Sequence, residues 1–161
     1  MTDFARLLRI LGKGGIECIL VGGVAATAHG ASRLTQDVDV VYSRSPENLK
    51  RLVSALAEYE PYLRDAPPGL PFRWDLATIE RGLNFTLTTT VGALDLLGEI
   101  AGGGSYEELL PHTLVLEVFD TRCLCLDLES LIRVKRASGR PKDLEAISEL
   151  ESLLREREDR E

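Results

Sequence analysis

Val21-Gly22-Gly23-Val24-Ala25-Ala26-Thr27-Ala28-His29-Gly30 leads through Ala31-Ser32-Arg33-Leu34-Thr35-Gln36 into Asp37-Val38-Asp39-Val40-Val41. Upstream of it, Ile16–Val21 is a short apolar run bounded by glycine and reads as a buried strand. Gly22-Gly23 reads as a turn, and the alanine-rich run from Val24 to His29 as a short helix ended by Gly30. Residues 36–42 read as the next strand. Positions i and i+2 of a strand share a face, so Asp37 and Asp39 point the same way. Two neighbouring carboxylates repel, and the pair is costly unless a cation lies between them. Val38, Val40 and Val41 are core-type residues, which makes the strand central and places its carboxylates at an edge or end of the sheet.

A second carboxylate in a similar setting lies in Leu94-Asp95-Leu96, on another β-type segment. Mg2+ favours a few carboxylates together with substrate phosphate oxygens. A third carboxylate on a neighbouring strand completes the donor set of a two-metal clamp. The segment before the aspartates supplies matching phosphate chemistry. Glycines at 22 and 23 let backbone approach an anion closely at a helix start. Ser32, Arg33 and Thr35 lie between that turn and the aspartates, and an arginine can pair with phosphate through two parallel hydrogen bonds.

Working outward, residues 3–13 place Phe4, Leu7, Leu8 and Leu11 at helical spacing before Gly14-Gly15. Ser45-Pro46-Glu47 opens an amphipathic helix over 46–60. Residues 61–71 hold four prolines and read as a loop. Leu76–Ile79, Asn84–Thr90 and Ala93–Leu97 read as strands, with threonines supporting that choice. Ser105 and Glu108 form a capping box, 114–119 and 122–126 a hairpin, and Asp127 caps a helix to about Ala137. Pro141 starts the last helix. The pattern predicts an α+β fold with one mixed sheet flanked by helices, in a single domain over 1–161. Its core spans about 14–126 and its C-terminal helices about 127–158.

The chain has 161 residues, 44% of them hydrophobic, and a net charge of −7, which disfavours a dedicated nucleic-acid coat. No run reaches the length of a membrane helix, and Met1-Thr2-Asp3-Phe4 lacks the basic start of a signal peptide. No membrane association and a cytoplasmic location are the expectations. Cys18, Cys123 and Cys125 read as free thiols in apolar strands, since Cys123-Leu124-Cys125 lacks the spacing of a zinc knuckle.

The run from Val21 to Val41 resembles the nucleotidyltransferase superfamily signature. That signature has a hydrophobic residue with Gly-Gly or Gly-Ser, about a dozen residues, Asp-x-Asp or Asp-x-Glu, and a later third carboxylate. Small bacterial members similar to the abortive-infection (AbiEii-type) toxins of toxin–antitoxin systems match best, and Leu131–Leu150, with its Lys-rich helix and Arg-x-Lys-Asp, resembles that branch. The resemblance covers about residues 14–150. It implies a nucleotidyltransferase-like fold, a nucleoside triphosphate as donor, and Mg2+ or Mn2+ as cofactor. Asp37 and Asp39 would hold the metals, and Asp95 the metal nearer the acceptor, as candidate base. Gly22, Gly23, Arg33 and Thr35 would lie against the triphosphate, with Lys135, Arg140 and Lys142 neutralising charge. The implied acceptor is tRNA, a protein hydroxyl or a small molecule, and a cognate antitoxin is an implied partner. The rival expectation is a non-catalytic nucleotide-binding or partner-binding module on the same fold. Local alternatives accompany these roles: Arg33 bridging to Asp37 or Asp39, His29 as a helix cap, Trp74 and Tyr106 as packing residues, and Asp143 as a first-turn acid.

Overall fold

The computed structural model describes every residue except Leu34 and the side chain of Lys142. In chain order the elements are α1 (Phe4–Lys13), β1 (Cys18–Val21), α2 (Gly22–Ala28), β2 (Asp37–Tyr42), α3 (Pro46–Leu56), β3 (Tyr62–Leu63), α4 (Leu76–Arg81), β4 (Phe85–Thr89), β5 (Gly92–Leu97), β6 (Glu99–Ile100), β7 (Gly104–Ser105), α5 (Tyr106–Leu109), β8 (Thr113–Val118), β9 (Thr121–Leu126), α6 (Leu128–Ser138) and α7 (Leu144–Arg160). Among the described residues, seven strands form one mixed sheet in the order β3-β4-β5-β2-β1-β9-β8. β2 lies at its centre, antiparallel to β1 and parallel to β5. The expected α+β fold, with a mixed sheet and C-terminal helices, is what the chain forms.

Strand alternation sorts the two faces. Leu20 of β1 pairs with Val40 of β2 and with Cys125 of β9, and this face lies under α1. Val21 pairs with Asp39 on the other face, where α2, α6 and α7 approach. β2 alternates from Asp37 to Val40 and then buries Val41 and Tyr42 as well. Leu94 and Leu96 of β5 are fully buried, while Asp95 between them is not. The apolar sides of β2 and β5 thus stabilise the sheet, and their acidic sides line up on the opposite face. The aspartates therefore stand on one face of a central strand pair at its end, as expected: Asp37 is the first residue of β2, and Asp39 lies opposite Val21, the last residue of β1.

Three elements differ from expectation. Leu76–Ile79 is the first part of α4, not a strand. The Asp75 side chain accepts from Thr78 N at 2.8 Å, and this cap outweighs the β-branched character of Thr78 and Ile79. The Pro-rich stretch contains β3, an edge strand flanked by left-handed Glu60 and Asp65. Gly22-Gly23 is the first turn of α2, not a turn preceding it. The capping box at Ser105 and the hairpin turn after Val118, with Phe119 and Asp120 both left-handed, match the reading.

His29 caps α2 and is almost fully buried. Its Nε2 donates to Leu126 O at 2.9 Å, and its own carbonyl accepts from Arg157 of α7. That assigns the proton to Nε2 and leaves Nδ1 buried without a partner. Burial therefore lowers the imidazole pKa from 6.5, and the hydrogen bond to Leu126 opposes this only in part. The unfolded chain then binds the extra proton first as pH falls. The stability carried by neutral His29 is present above pH 6.5 and is lost as pH drops below it, by up to about 1.4 kcal/mol per unit. Thermal melts from pH 7.5 to 5 are expected to show this decline in the wild type and a flatter profile in His29→Gln. Parallel profiles would exclude His29 as the source.

Among the described residues, no helix is long and apolar enough to cross a membrane. The three cysteines are free, and burial raises the Cys18 and Cys125 thiols to about 12, which keeps them protonated and unreactive. Trp74 donates to Val53 O and packs on α3, while Tyr106 is buried on the α1 side, away from the aspartates.

Candidate functional site

Parallel pairing of β2 with β5 sets Asp39 directly opposite Asp95. Asp37 lies two residues before Asp39 on the same face. The three carboxylates converge, with one oxygen from each within 4.8 Å of the others. They form the floor of a cleft of about 420 Å³. Its walls include Gly23, Arg33, Thr35, Lys135, Arg140 and Asp143, drawn from α2, the following loop and the C-terminal helices.

Asp39 is the innermost of the three. Burial, the adjacent charges of Asp37 and Asp95, and a proton shared with Asp95 push it up to about 8, while Lys135 pulls the other way. Its Oδ1 is buried and has no hydrogen-bond partner. An anionic oxygen in that position is poorly solvated, and a cation is the partner it lacks. Three converging carboxylates with one orphaned oxygen are the donor set of a hard divalent cation such as Mg2+ or Mn2+. The site fits that group.

The Gly-Gly pair has a local reason visible only in three dimensions. Gly22 is left-handed (φ 69°), and a Cβ there would overlap Asp39 Oδ2. A Cβ on Gly23 would come within 2.7 Å of Thr35 Cβ and Oγ1. The glycines thus make room for the chain's own Asp39 and Thr35. Thr35 Oγ1 donates to the Asp37 carbonyl at 3.2 Å, which steadies the start of β2. Gly22 does not line the main cleft. It borders an adjoining apolar recess of about 170 Å³, which includes Leu97, Ile100, Leu131 and Val134.

The basic residues expected around the site divide into two groups. Lys135 and Arg140 face the cleft and are held by Asp143, at 3.3 Å and 2.9 Å. Burial alone would raise the Asp143 carboxyl. Hydrogen bonds from Ser138 and Arg140, with the Lys135 charge, outweigh it and hold Asp143 below the usual carboxylate range. Asp143 is thus a buried anchor for two cations, not only a first-turn acid. Arg33 also lines the cleft, but it pairs with Glu145 at 2.8 Å and lies 3.9 Å from Glu149, both on α7, instead of Asp37 or Asp39. Arg133 donates to Gly102 O, and Arg136 pairs with Glu151. The predicted contribution of Lys142 lies outside the described residues.

One residue at the site had no sequence signal. Arg64, just beyond β3, reaches across β4 to the carboxylates. Its Nη1 lies 3.3 Å from Asp37 Oδ2, and its Nη2 lies 2.6 Å from Asp95 Oδ1. Nη2 also donates to Leu87 O. Nothing in Leu63-Arg64-Asp65, beside a proline cluster, marks the arginine. Only the β3–β4 pairing carries it there.

No protein-family model matches the chain, and no curated protein sequence matches it. Among solved structures, the chain is similar to the lincosamide antibiotic adenylyltransferase LnuA in its lincomycin-bound crystal structure. The identity is 15% and the TM-score 0.61, covering 95% of this chain and 98% of that one. At that identity the likeness concerns the fold: this chain has the fold of a nucleotidyltransferase.

Proposed function

We propose that this chain is a single-domain, metal-dependent nucleotidyltransferase that transfers a nucleotidyl group from a nucleoside triphosphate to a hydroxyl of a small molecule. The observation that carries the reading is the convergence of Asp37, Asp39 and Asp95 in a cleft walled by Lys135 and Arg140. On this reading Asp37, Asp39 and Asp95 hold Mg2+ or Mn2+, which supplies charge neutralisation at the phosphates. Lys135 and Arg140, kept in place by Asp143, face the triphosphate, with Arg33, Thr35 and Gly23 along the same wall. The acceptor oxygen attacks the α-phosphorus, the bond to the β-phosphate breaks, pyrophosphate leaves, and the acceptor proton passes to Asp95. Positioning and charge account for such chemistry, which suits a small domain.

A small-molecule acceptor is preferred to tRNA for a specific reason. A tRNA acceptor calls for a basic surface patch from Arg133, Lys135, Arg136, Arg140 and Lys142, of which the Lys142 side chain lies outside the described residues. The other four are each engaged by a carbonyl or carboxylate of this chain, and the acidic Glu149 lines the cleft. An apolar recess beside the carboxylates suits an uncharged ring system. The similar fold of an adenylyltransferase for an antibiotic agrees with this choice. The toxin role and the cognate antitoxin rest on the sequence motif alone. The second reading, a non-catalytic nucleotide-binding module, is favoured by one observation, the guanidinium of Arg64 among the carboxylates.

The test combines binding and turnover. Mn2+ with each of the four nucleoside triphosphates, at about 100 times Kd, is expected to stabilise the protein by about 2.7 kcal/mol for the preferred nucleotide. That corresponds to a Tm rise of about 5–10 °C for a chain of this size. Labelled nucleotide should then appear on a small hydroxylated acceptor with release of pyrophosphate. Stabilisation without transfer across an aminoglycoside, lincosamide and nucleoside panel would favour the non-catalytic module. No stabilisation by any triphosphate would remove both readings.

A further inference from the structure

Arg64 stands where a metal ion using Asp37 and Asp95 would need access to the same oxygens. Its two terminal nitrogens reach one oxygen of each carboxylate, at 3.3 Å and 2.6 Å. The contact is largely enclosed: the Arg64 side chain is 22% exposed and that of Asp95 20%. In such surroundings a guanidinium is a strong counter-ion, since water does little to screen it. The arginine is also incompletely satisfied. Its Nε is buried without a partner, as is Asp39 Oδ1. Arg64 thus neutralises two of the three carboxylates and leaves its own third donor and the innermost oxygen unpaired.

We propose that Arg64 is an internal counter-cation that competes with metal for Asp37 and Asp95, so that metal and triphosphate bind this site cooperatively. The inference rests on the metal-binding reading of the aspartates given above. A guanidinium bound to carboxylates is the group best suited to move onto phosphate oxygens, because both present paired acceptors. The Arg64 backbone amide stays tied to Thr86 O at 2.9 Å, so the exchange needs only side-chain movement. A triphosphate entering the cleft draws the guanidinium away, and the carboxylates become free for the cation. By linkage, each ligand then raises the affinity for the other by the same factor. In the metal-free site the arginine balances the charges of Asp37 and Asp95, and it makes metal binding depend on substrate.

The experiment is calorimetric titration of the metal-free protein with Mn2+ alone, and with Mn2+ in the presence of inorganic tripolyphosphate. Wild type is compared with Arg64→Gln and Arg64→Lys. Arg64→Gln is expected to bind Mn2+ alone about 10-fold or more tighter than wild type, within the usual range of site-to-site coupling. Its gain in Mn2+ affinity on adding tripolyphosphate should shrink by a similar factor. Arg64→Lys, which keeps the charge but not the fork, should fall between the two. A purely structural arginine would lower Tm in Arg64→Gln and leave Mn2+ affinity equal or weaker, which overturns the proposal. If Arg64→Gln does not fold, Arg64→Lys decides alone: tighter Mn2+ binding than wild type supports competition, and equal or weaker binding overturns it. Wild type that binds Mn2+ with tripolyphosphate, beside variants that bind Mn2+ alone no tighter than wild type does, removes only the role of Arg64. Failure of every protein to bind Mn2+ with or without tripolyphosphate removes the metal-site reading as well.

Discussion

Asp39→Asn is expected to reduce nucleotidyl transfer by at least about 10²–10³-fold, a loss comparable to removing one preorganised electrostatic group from an active site. It should also abolish the stabilisation by Mn2+ with triphosphate. The same substitution is expected to make the metal-free protein more stable at neutral and alkaline pH. The sign follows from the ionisation of Asp39. Its folded-state pKa lies at about 8, against 3.8 for the ordinary group, because the carboxyl is buried beside Asp37 and Asp95. The folded protein therefore holds a proton that the unfolded chain has already released. Stability from this group is highest below pH 3.8 and declines as pH rises from there to about 8. Asparagine fills nearly the same volume without ionising, so the variant escapes that decline. The difference in Tm between variant and wild type, measured in EDTA at pH 5.5, 7 and 8.5, should grow with pH. Taking the difference also cancels the opposite slope contributed by His29 in both proteins. A variant less stable than wild type at pH 8.5 would mean that Asp39 is held by partners strong enough to offset its burial.

Gly22→Ala should destabilise the protein by about 2–5 kcal/mol. About 1–2 kcal/mol comes from forcing a side chain into the left-handed region at φ 69°. A further 1–3 kcal/mol comes from the overlap of the new methyl with the Asp39 carboxylate. Gly139→Ala separates the two contributions. Gly139 has a nearly equal φ of 65°, but a Cβ there meets nothing within 4 Å. It should therefore show the backbone contribution alone. Combining Gly22→Ala with Asp39→Ala removes the carboxylate part of the overlap and leaves a tight Cβ contact of 3.0 Å, so the double variant should be more stable than the sum of the singles predicts. Urea unfolding of the four variants gives the values. Equal losses in Gly22→Ala and Gly139→Ala would show that Asp39 can move aside without penalty.

Much of this site follows from local rules. Strand alternation alone puts Asp37 and Asp39 on one face, because the period of a strand is two. The β-type setting of Asp95 follows from its apolar neighbours, but its register does not. Only pairing with β2 sets it opposite Asp39 and not one residue away on the other face. Gly22-Gly23 could be linked with the aspartates by spacing, yet the reason for glycine lies downstream, in the Asp39 side chain for Gly22 and in Thr35 for Gly23. The helix at Leu76 is not legible from propensity, because Thr78 and Ile79 favour a strand and only the Asp75 cap favours the helix. Lys135 and Arg140 were legible as cations near a helix end, but not their common anchor in Asp143.

Arg64 marks the boundary most clearly. Amino-acid order is enough to specify three acidic positions, a buried strand beneath them and a mixed α+β sheet, because each depends on periodicity, capping or propensity over a few residues. The charge balance of the site is not specified in that way. A two-residue edge strand, paired to β4 and followed by left-handed Asp65, carries an arginine 27 residues from Asp37 and 31 from Asp95 into contact with both. Contacts at such separation arise from strand pairing and register, which are long-range properties of the folded chain. They leave no periodic trace in the residues that make them.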